Sequence, residues 1–331
     1  MTQIKTSFRR NFVKVGLSFA AIASISTFGL VSVANADKYP SKPIELVIHA
    51  KYGGGTDTTA RMVSIRTRRN LKADISIVAK RGGSGAKAQN YVLSKPADGY
   101  TIMALTQSHL YTMARGKSKM KIDDIVVVAR AMDDPTFVAV SGKGKFKTLE
   151  DLVAASKKAP LNWGVAQIGG TEHIGLAQFA KEAGIKFKVV PFGSGAQMVQ
   201  ALMAGKIDAT LPNVSEAANQ VADGSFRALA VMAEERLKDY PNVPSTFEKG
   251  IKAKCSTTRG YAVLASTPQP IIDQISKAMV KAMKHDVFAS YLAGAGLTVE
   301  SSVAGTKIWD KHLKAEYKVA ASALKELGLV K

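Results

Sequence analysis

Four glycine-rich turns hold the residues whose types and spacing suit chemistry. The first, Lys51-Tyr52-Gly53-Gly54-Gly55-Thr56-Asp57, follows an apolar run at 44–48 and enters a helical pattern with Ala60 and Arg61. Its glycines let the backbone turn tightly and approach a ligand without side chains in the way. Thr56 and Asp57 are residue types that start helices. A strand, a glycine turn and a helix N-terminus in that order form an anion site, because free amides and the positive dipole end face one point. The same turn also reads as a plain strand-to-helix connection. Arg81-Gly82-Gly83-Ser84-Gly85-Ala86-Lys87, Gly169-Gly170-Thr171-Glu172-His173 and Phe192-Gly193-Ser194-Gly195 repeat the arrangement. One such turn is weak support for a site; four are hard to dismiss.

Lys51 and Lys87 could each give a carboxylate a charged hydrogen bond worth about 1.5–3 kcal/mol, or stay as solvated surface lysines. His173 either donates to a ligand or is satisfied by a neighbour. Asp57 and Asp208 would repel a carboxylate, so their expected role is to cap helices and hold loop amides. Ser84 and Ser194 sit between glycines and suggest a nucleophile, but alanine stands where Gly-x-Ser-x-Gly needs its last glycine. An exported hydrolase using either serine with a histidine is therefore the rival reading. The triple glycine lacks the Lys-Ser/Thr ending of a nucleotide phosphate loop.

Residues 1–36 read as a secretory leader: Lys5, Arg9, Arg10 and Lys14, an apolar stretch at 15–33, then Ala34-Asn35-Ala36, with cleavage after Ala36. The alternative is an uncleaved anchor. No cysteine follows the cut to carry lipid, and no other apolar run approaches the ~18 residues of a membrane span. A soluble periplasmic protein is expected. Taking four positive charges from +20 leaves +16 on the remaining 295 residues, a length for two domains. Cys255 is the single cysteine, so no internal disulfide and no Cys-based zinc site can form. No metal or cofactor is expected. The charge invites a nucleic-acid or anionic-surface binder. Against nucleic acid, the lysines are spread along the chain and no zinc finger or RNA-recognition signature appears. Attraction of small anions suits the charge better.

The elements that must place these turns alternate strand and helix. Strands are expected at 44–48, 75–78 and 100–105, with a helix to about Arg69 and another from the second turn to about Ser94. This is the pattern of a parallel sheet flanked by helices. Its ligands lie beyond the carboxyl ends of the strands, where Thr106-Gln107-Ser108-His109 falls. Strands at 125–130 and 137–140 follow, then a helix capped by Thr148. A second α/β unit has strands at 163–165, 187–190, 207–211 and 226–232. Its helices open after Gly170, at Ser194 and after Asn213. The chain returns with a strand at 261–264 and helices at 270–284 and 303–327. Trp309, Leu313, Tyr317, Ala320 and Leu324 share one face of the last helix and read as core. The fold class is α/β: two domains, each a mostly parallel sheet flanked by helices, joined by two crossing segments near 138–141 and 257–262. The expected boundaries are 37–139 with 260–331 for domain 1 and 140–259 for domain 2.

Residues 39–48, Gly53-Gly54-Gly55-Thr56-Asp57, the run from Arg81 to Lys87 and Pro96-Ala97-Asp98-Gly99-Tyr100-Thr101 recur, in that order, in a known family. So do Gly169 to His173, Pro191-Phe192, Gly205-Lys206-Ile207-Asp208 and Tyr240-Pro241-Asn242-Val243-Pro244. The chain resembles the substrate-binding proteins of tripartite tricarboxylate transporters over nearly all its length after residue 36. The resemblance implies a monomeric periplasmic-binding-protein clamp, without catalysis, that delivers a small di- or tricarboxylate to membrane permease subunits. It implies ligand contacts from Lys51, Tyr52, Gly53, Gly54, Gly55, Thr56 and Asp57, from Ser84, Gly85, Ala86 and Lys87, and from Thr106 and Ser108. On the second domain it implies Gly170, Thr171, His173, Phe192, Ser194, Asp208 and Asn213. The family usually has Pro-Phe and a small residue where His49-Ala50-Lys51-Tyr52 stand, and Asn where Lys87 stands. Both departures put cations at the expected site, with room for more ligand charge.

Overall fold

The structure, a computed structural model, describes residues 39–330. The leader assigned to residues 1–36 lies outside the described residues. A first sheet holds β1 (Ile44–Ile48), β2 (Ile75–Ala79), β3 (Thr101–Thr106), β4 (Ile125–Pro135), β10 (Ser256–Leu264) and β11 (Ala304–Gly305), in the order β11-β4-β10-β3-β1-β2. β1 pairs parallel with β2 and β3, while β10 and β11 run antiparallel to their neighbours. A second sheet holds β5 (Phe137–Ser141), β6 (Leu161–Val165), β7 (Phe187–Pro191), β8 (Ala209–Thr210) and β9 (Phe226–Val231), in the order β7-β6-β8-β5-β9. There β6 is parallel to β7 and β8, and β5 is antiparallel to β8 and β9.

Helices cover both faces of each sheet, which is why the parallel strands read as near-continuous apolar runs. Along β1, Ile44, Leu46 and Ile48 enter one core with Val63, Ile275 and Met279. Val47, on the opposite face, packs with Leu105, Trp309 and Leu313. The strand period of two thus feeds two cores. In the second sheet Val138, Val140 and Trp163 pack on Leu176 and Phe179, and Phe137 and Ala139 on Val199 and Leu202.

The helices that matter for function are α1 (Gly55–Leu71), α2 (Ala86–Leu93), α3 (Gln107–Ala114), α4 (Leu149–Lys158), α5 (Thr171–Ala183), α6 (Gly195–Met203) and α7 (Val214–Ala222). α8 (Gln269–Met283), α9 (Asp286–Ala293), α10 (Val299–Ser302) and α11 (Thr306–Glu326) complete the first lobe. Three differences from the sequence expectation have physical causes. α3 stands where the sequence reading assigned no element, because Thr106 and His109 form a capping box. The C-terminal helix starts at Thr306, after β11 pairs with β4. β4 and β10 are longer at the ends facing the second lobe, pairing from Ser256↔Pro135 to Leu264↔Ile125. Asp133-Asp134-Pro135 has poor strand propensity, so partner pairing and not local pattern makes this ribbon. The chain passes from one sheet to the other at Thr136, and returns just before Ser256.

Candidate functional site

Five helix N-termini meet at one cavity between the sheets: α1 and α3 from the first lobe, α5, α6 and α7 from the second. Each brings amides that no helix carbonyl can satisfy, and the positive end of its dipole. Gly54, Gly55 and Thr56 line the cavity from α1, and Thr106 and Ser108 from α3. Thr171 and Glu172 line it from α5, Ser194 and Gly195 from α6, and Asn213 and Glu216 from α7. His49, Gln167, Thr257 and Arg259 are also on the wall, and the cavity volume is about 30 Å³.

The lobes touch through hydrogen bonds at this rim. The Gly55 amide donates to Glu216 Oε1 at 2.8 Å, and the Thr171 amide to Ser108 Oγ at 3.1 Å. The Lys51 amide donates to the Gly193 carbonyl at 3.2 Å and its ammonium to Gln197 Oε1 at 2.9 Å. Ser84 Oγ donates to the Ile168 carbonyl.

Of the residues singled out in the sequence, Gly54, Gly55, Thr56, Thr106, Ser108, Thr171, Ser194 and Asn213 are brought together at the cavity. The others stand elsewhere. Neither lysine enters the lining: Lys51 spans the rim, and Lys87 lies along Gly82 in a surface groove with Lys80 and Tyr91. Tyr52 is exposed, with its hydroxyl 3.4 Å from the Ile77 carbonyl. Asp57 accepts from the Gly53 amide at 2.8 Å and from Arg61, and Asp208 from the Asn162 amide at 2.9 Å. Both hold loop amides. His173 Nδ1 accepts from the Gly169 amide at 2.8 Å, and burial followed by Arg115 lowers its pKa. Phe192 packs in the core behind Gly164. Gly53, Gly85, Ala86 and Gly170 shape the turns without lining the cavity. Ser84 and Ser194 are a bridge to Ile168 and the cap of α6, accepting from the Gln197 amide at 3.4 Å.

Sequence reading missed the most strongly charged part of the wall. Arg259, on β10, is buried against the fully buried Asp134 of β4. Its Nη2 donates to Asn213 Oδ1 at 2.9 Å and lies 4.0 Å from Glu216. Asp134 also accepts from the Ser215 amide at 3.2 Å and from its hydroxyl. Burial works against the guanidinium's charge, but Asp134 and Glu216 outweigh it and hold the pKa above the ordinary arginine value. His49 stacks edge-on against His109 at 4.3 Å; burial, then Arg259, pushes His49 down to about 4. The signal for Arg259 was a lone arginine within the otherwise uncharged strand Ser256–Leu264.

Burial raises Glu216, and it raises Glu172 from the ordinary 4.5 to about 7. The folded state therefore keeps a proton on Glu172 that the unfolded chain releases, and stability falls as pH rises from about 4.5 to about 7. The full shift is worth up to about 3 kcal/mol. Urea melts of Glu172→Gln should show the variant gaining up to that amount over wild type between those pH limits. A difference that does not change with pH would contradict the buried, protonated carboxyl.

Among the described residues no helix is long and apolar enough to cross a membrane, and no cluster of three or more His, Cys, Asp or Glu could hold a metal. Comparison with known proteins adds the lineage. The chain is 25% identical to Protein BugT of Bordetella pertussis over 284 residues, covering 83% of this chain and 86% of that protein. A TctC solute-binding protein from Polaromonas superposes with a TM-score of 0.66 at 27% identity, over 87% of this chain and 99% of that one. The fold of Rpa4515 from R. palustris, solved with adipate, matches with a TM-score of 0.80 at 23% identity, over 88% and 98%. MatC from Rhodopseudomonas palustris, solved with malate, gives 0.79 at 20%, over 86% and 100%. Residues 59–328 match the family described as the tripartite tricarboxylate transporter family receptor. With this match, a two-lobed α/β fold and a cleft of helix N-termini, the chain belongs to that family of periplasmic solute-binding receptors and is not an enzyme.

Proposed function

We propose that this protein is exported by a leader cleaved after Ala36 and acts as a monomer that captures a small organic di- or tricarboxylate between its lobes. It then delivers the ligand to the permease subunits of a tripartite tricarboxylate-type transporter. The convergence of five helix N-termini on one cavity carries the reading, because such termini select anions by dipole and by amide. Relatives of the same fold solved with adipate and malate support it. A volume of about 30 Å³ fits only a water or two, so a carboxylate gains access only when the lobes part. The crossings at Thr136 and just before Ser256 are the places for that motion, three to four residues ahead of the expected boundaries at 139/140 and 259/260.

A thermal-shift screen of organic acids tests this. A ligand at a hundredfold excess over Kd should add ~2.7 kcal/mol of stability. A panel of mono-, di- and tricarboxylates that leaves the melting temperature unmoved, while DNA raises it, would favour the cationic-surface reading instead.

A further inference from the structure

We propose that Glu216 is a specificity-determining residue that makes this receptor select a carboxylate also bearing a protonated amine. The inference rests on the carboxylate reading above and concerns the same cavity. Glu216 reaches it from the third position of α7, with a side chain nine-tenths buried. Oε1 accepts from the Gly55 amide, so the protein's own carboxylate already takes the N-terminus of α1. Oε2 is buried and has no hydrogen-bond partner among the described residues. It lies against Gly195, where an added Cβ would come within 1.8 Å of it. The two glycines keep space for this carboxylate between helix starts of opposite lobes.

The charges around it set what a ligand must carry. Arg259 is the cation in the lining, and the buried Asp134 already matches it. Lys51 is bonded to Gln197 and stands outside the lining. Glu216 lies 4.0 Å from Arg259 but shares it with Asp134, so the two carboxylates outnumber the one guanidinium. A second ligand carboxylate would face Glu216 with only the shared Arg259 to offset it, and like charges at such range in a buried site repel strongly. An ammonium group would instead donate to Oε2 in a charge-assisted bond. The ligand's carboxylate is then left to the starts of α5 and α6, at Thr171 and Gly195.

Calorimetry on the full mature chain tests this with acids matched in length. Succinate, glutarate and adipate are set against butyrate, valerate and caproate, and against the α- and ω-amino derivatives of those monocarboxylates. At one chain length or more, an amino derivative should bind at least tenfold more tightly than both its dicarboxylate and its plain counterpart. Glu216→Gln should erase that preference and strengthen dicarboxylate binding. If the dicarboxylate binds more tightly at every length, the inference fails while the carboxylate reading stands. If no acid of any kind binds, both fail together. The wild-type contrast decides the matter even if the variant does not fold.

Discussion

Arg259→Met is expected to cost about 3–5 kcal/mol of folding stability. Arg259 is 4% exposed and Asp134 not at all. Removing the guanidinium leaves a carboxylate sealed in the ribbon between the lobes, held only by Ser215. Breaking one partner of a buried pair is far more damaging than replacing both. Asp134→Asn in the same chain should therefore recover much of the loss. Arg259→Lys should recover little, because a single ammonium cannot serve both Asp134 and Asn213 as the planar fork does. Urea denaturation measures all three. A loss below about 1 kcal/mol for Arg259→Met would mean that the pair is more solvated than the structure indicates.

Gly54→Val should leave the fold intact and weaken carboxylate binding by roughly fivefold to 150-fold. Gly54 has an ordinary extended backbone, so a side chain is locally allowed. A Cβ there would lie 2.9 Å from Ser194 Cβ on the opposite lobe. On its own lobe the Cβ would meet the Lys51 carbonyl at an ordinary 3.5 Å, so the tight contact is the one across the lobes. Overpacking of this kind costs about 1–3 kcal/mol, which converts to that range of affinity. Gly53→Ala is the matched control. Gly53 has φ +81° with open space around its Cβ position, so its cost is local backbone strain. Calorimetry should find Gly53→Ala much closer to wild type in affinity.

Local signals carried much of the fold. The apolar run of β1, the Thr148 cap of α4 and the Gly184 stop after α5 each lie within a few residues of the structure they specify. The glycine turns were legible for the same reason, and three of the four supply part of the cavity wall. The Arg259–Asp134–Glu216 network was not legible. Asp134 and Arg259 are 125 residues apart and meet only because β4 and β10 pair. Lys87 shows the opposite case: the second glycine turn pointed to an anion site, yet the helix it starts places this lysine in a surface groove. A turn motif states where amides lie; which side chains face them depends on the packing of distant strands.

The two-lobed clamp is tested most directly by small-angle X-ray scattering of the mature protein, titrated with the acid that gives the largest thermal shift. The radius of gyration should fall on saturation in the wild type, and in Gly54→Val it should fall only at roughly fivefold to 150-fold higher ligand concentration. Saturable binding with no change in the wild-type radius of gyration would contradict closure of the lobes on a carboxylate.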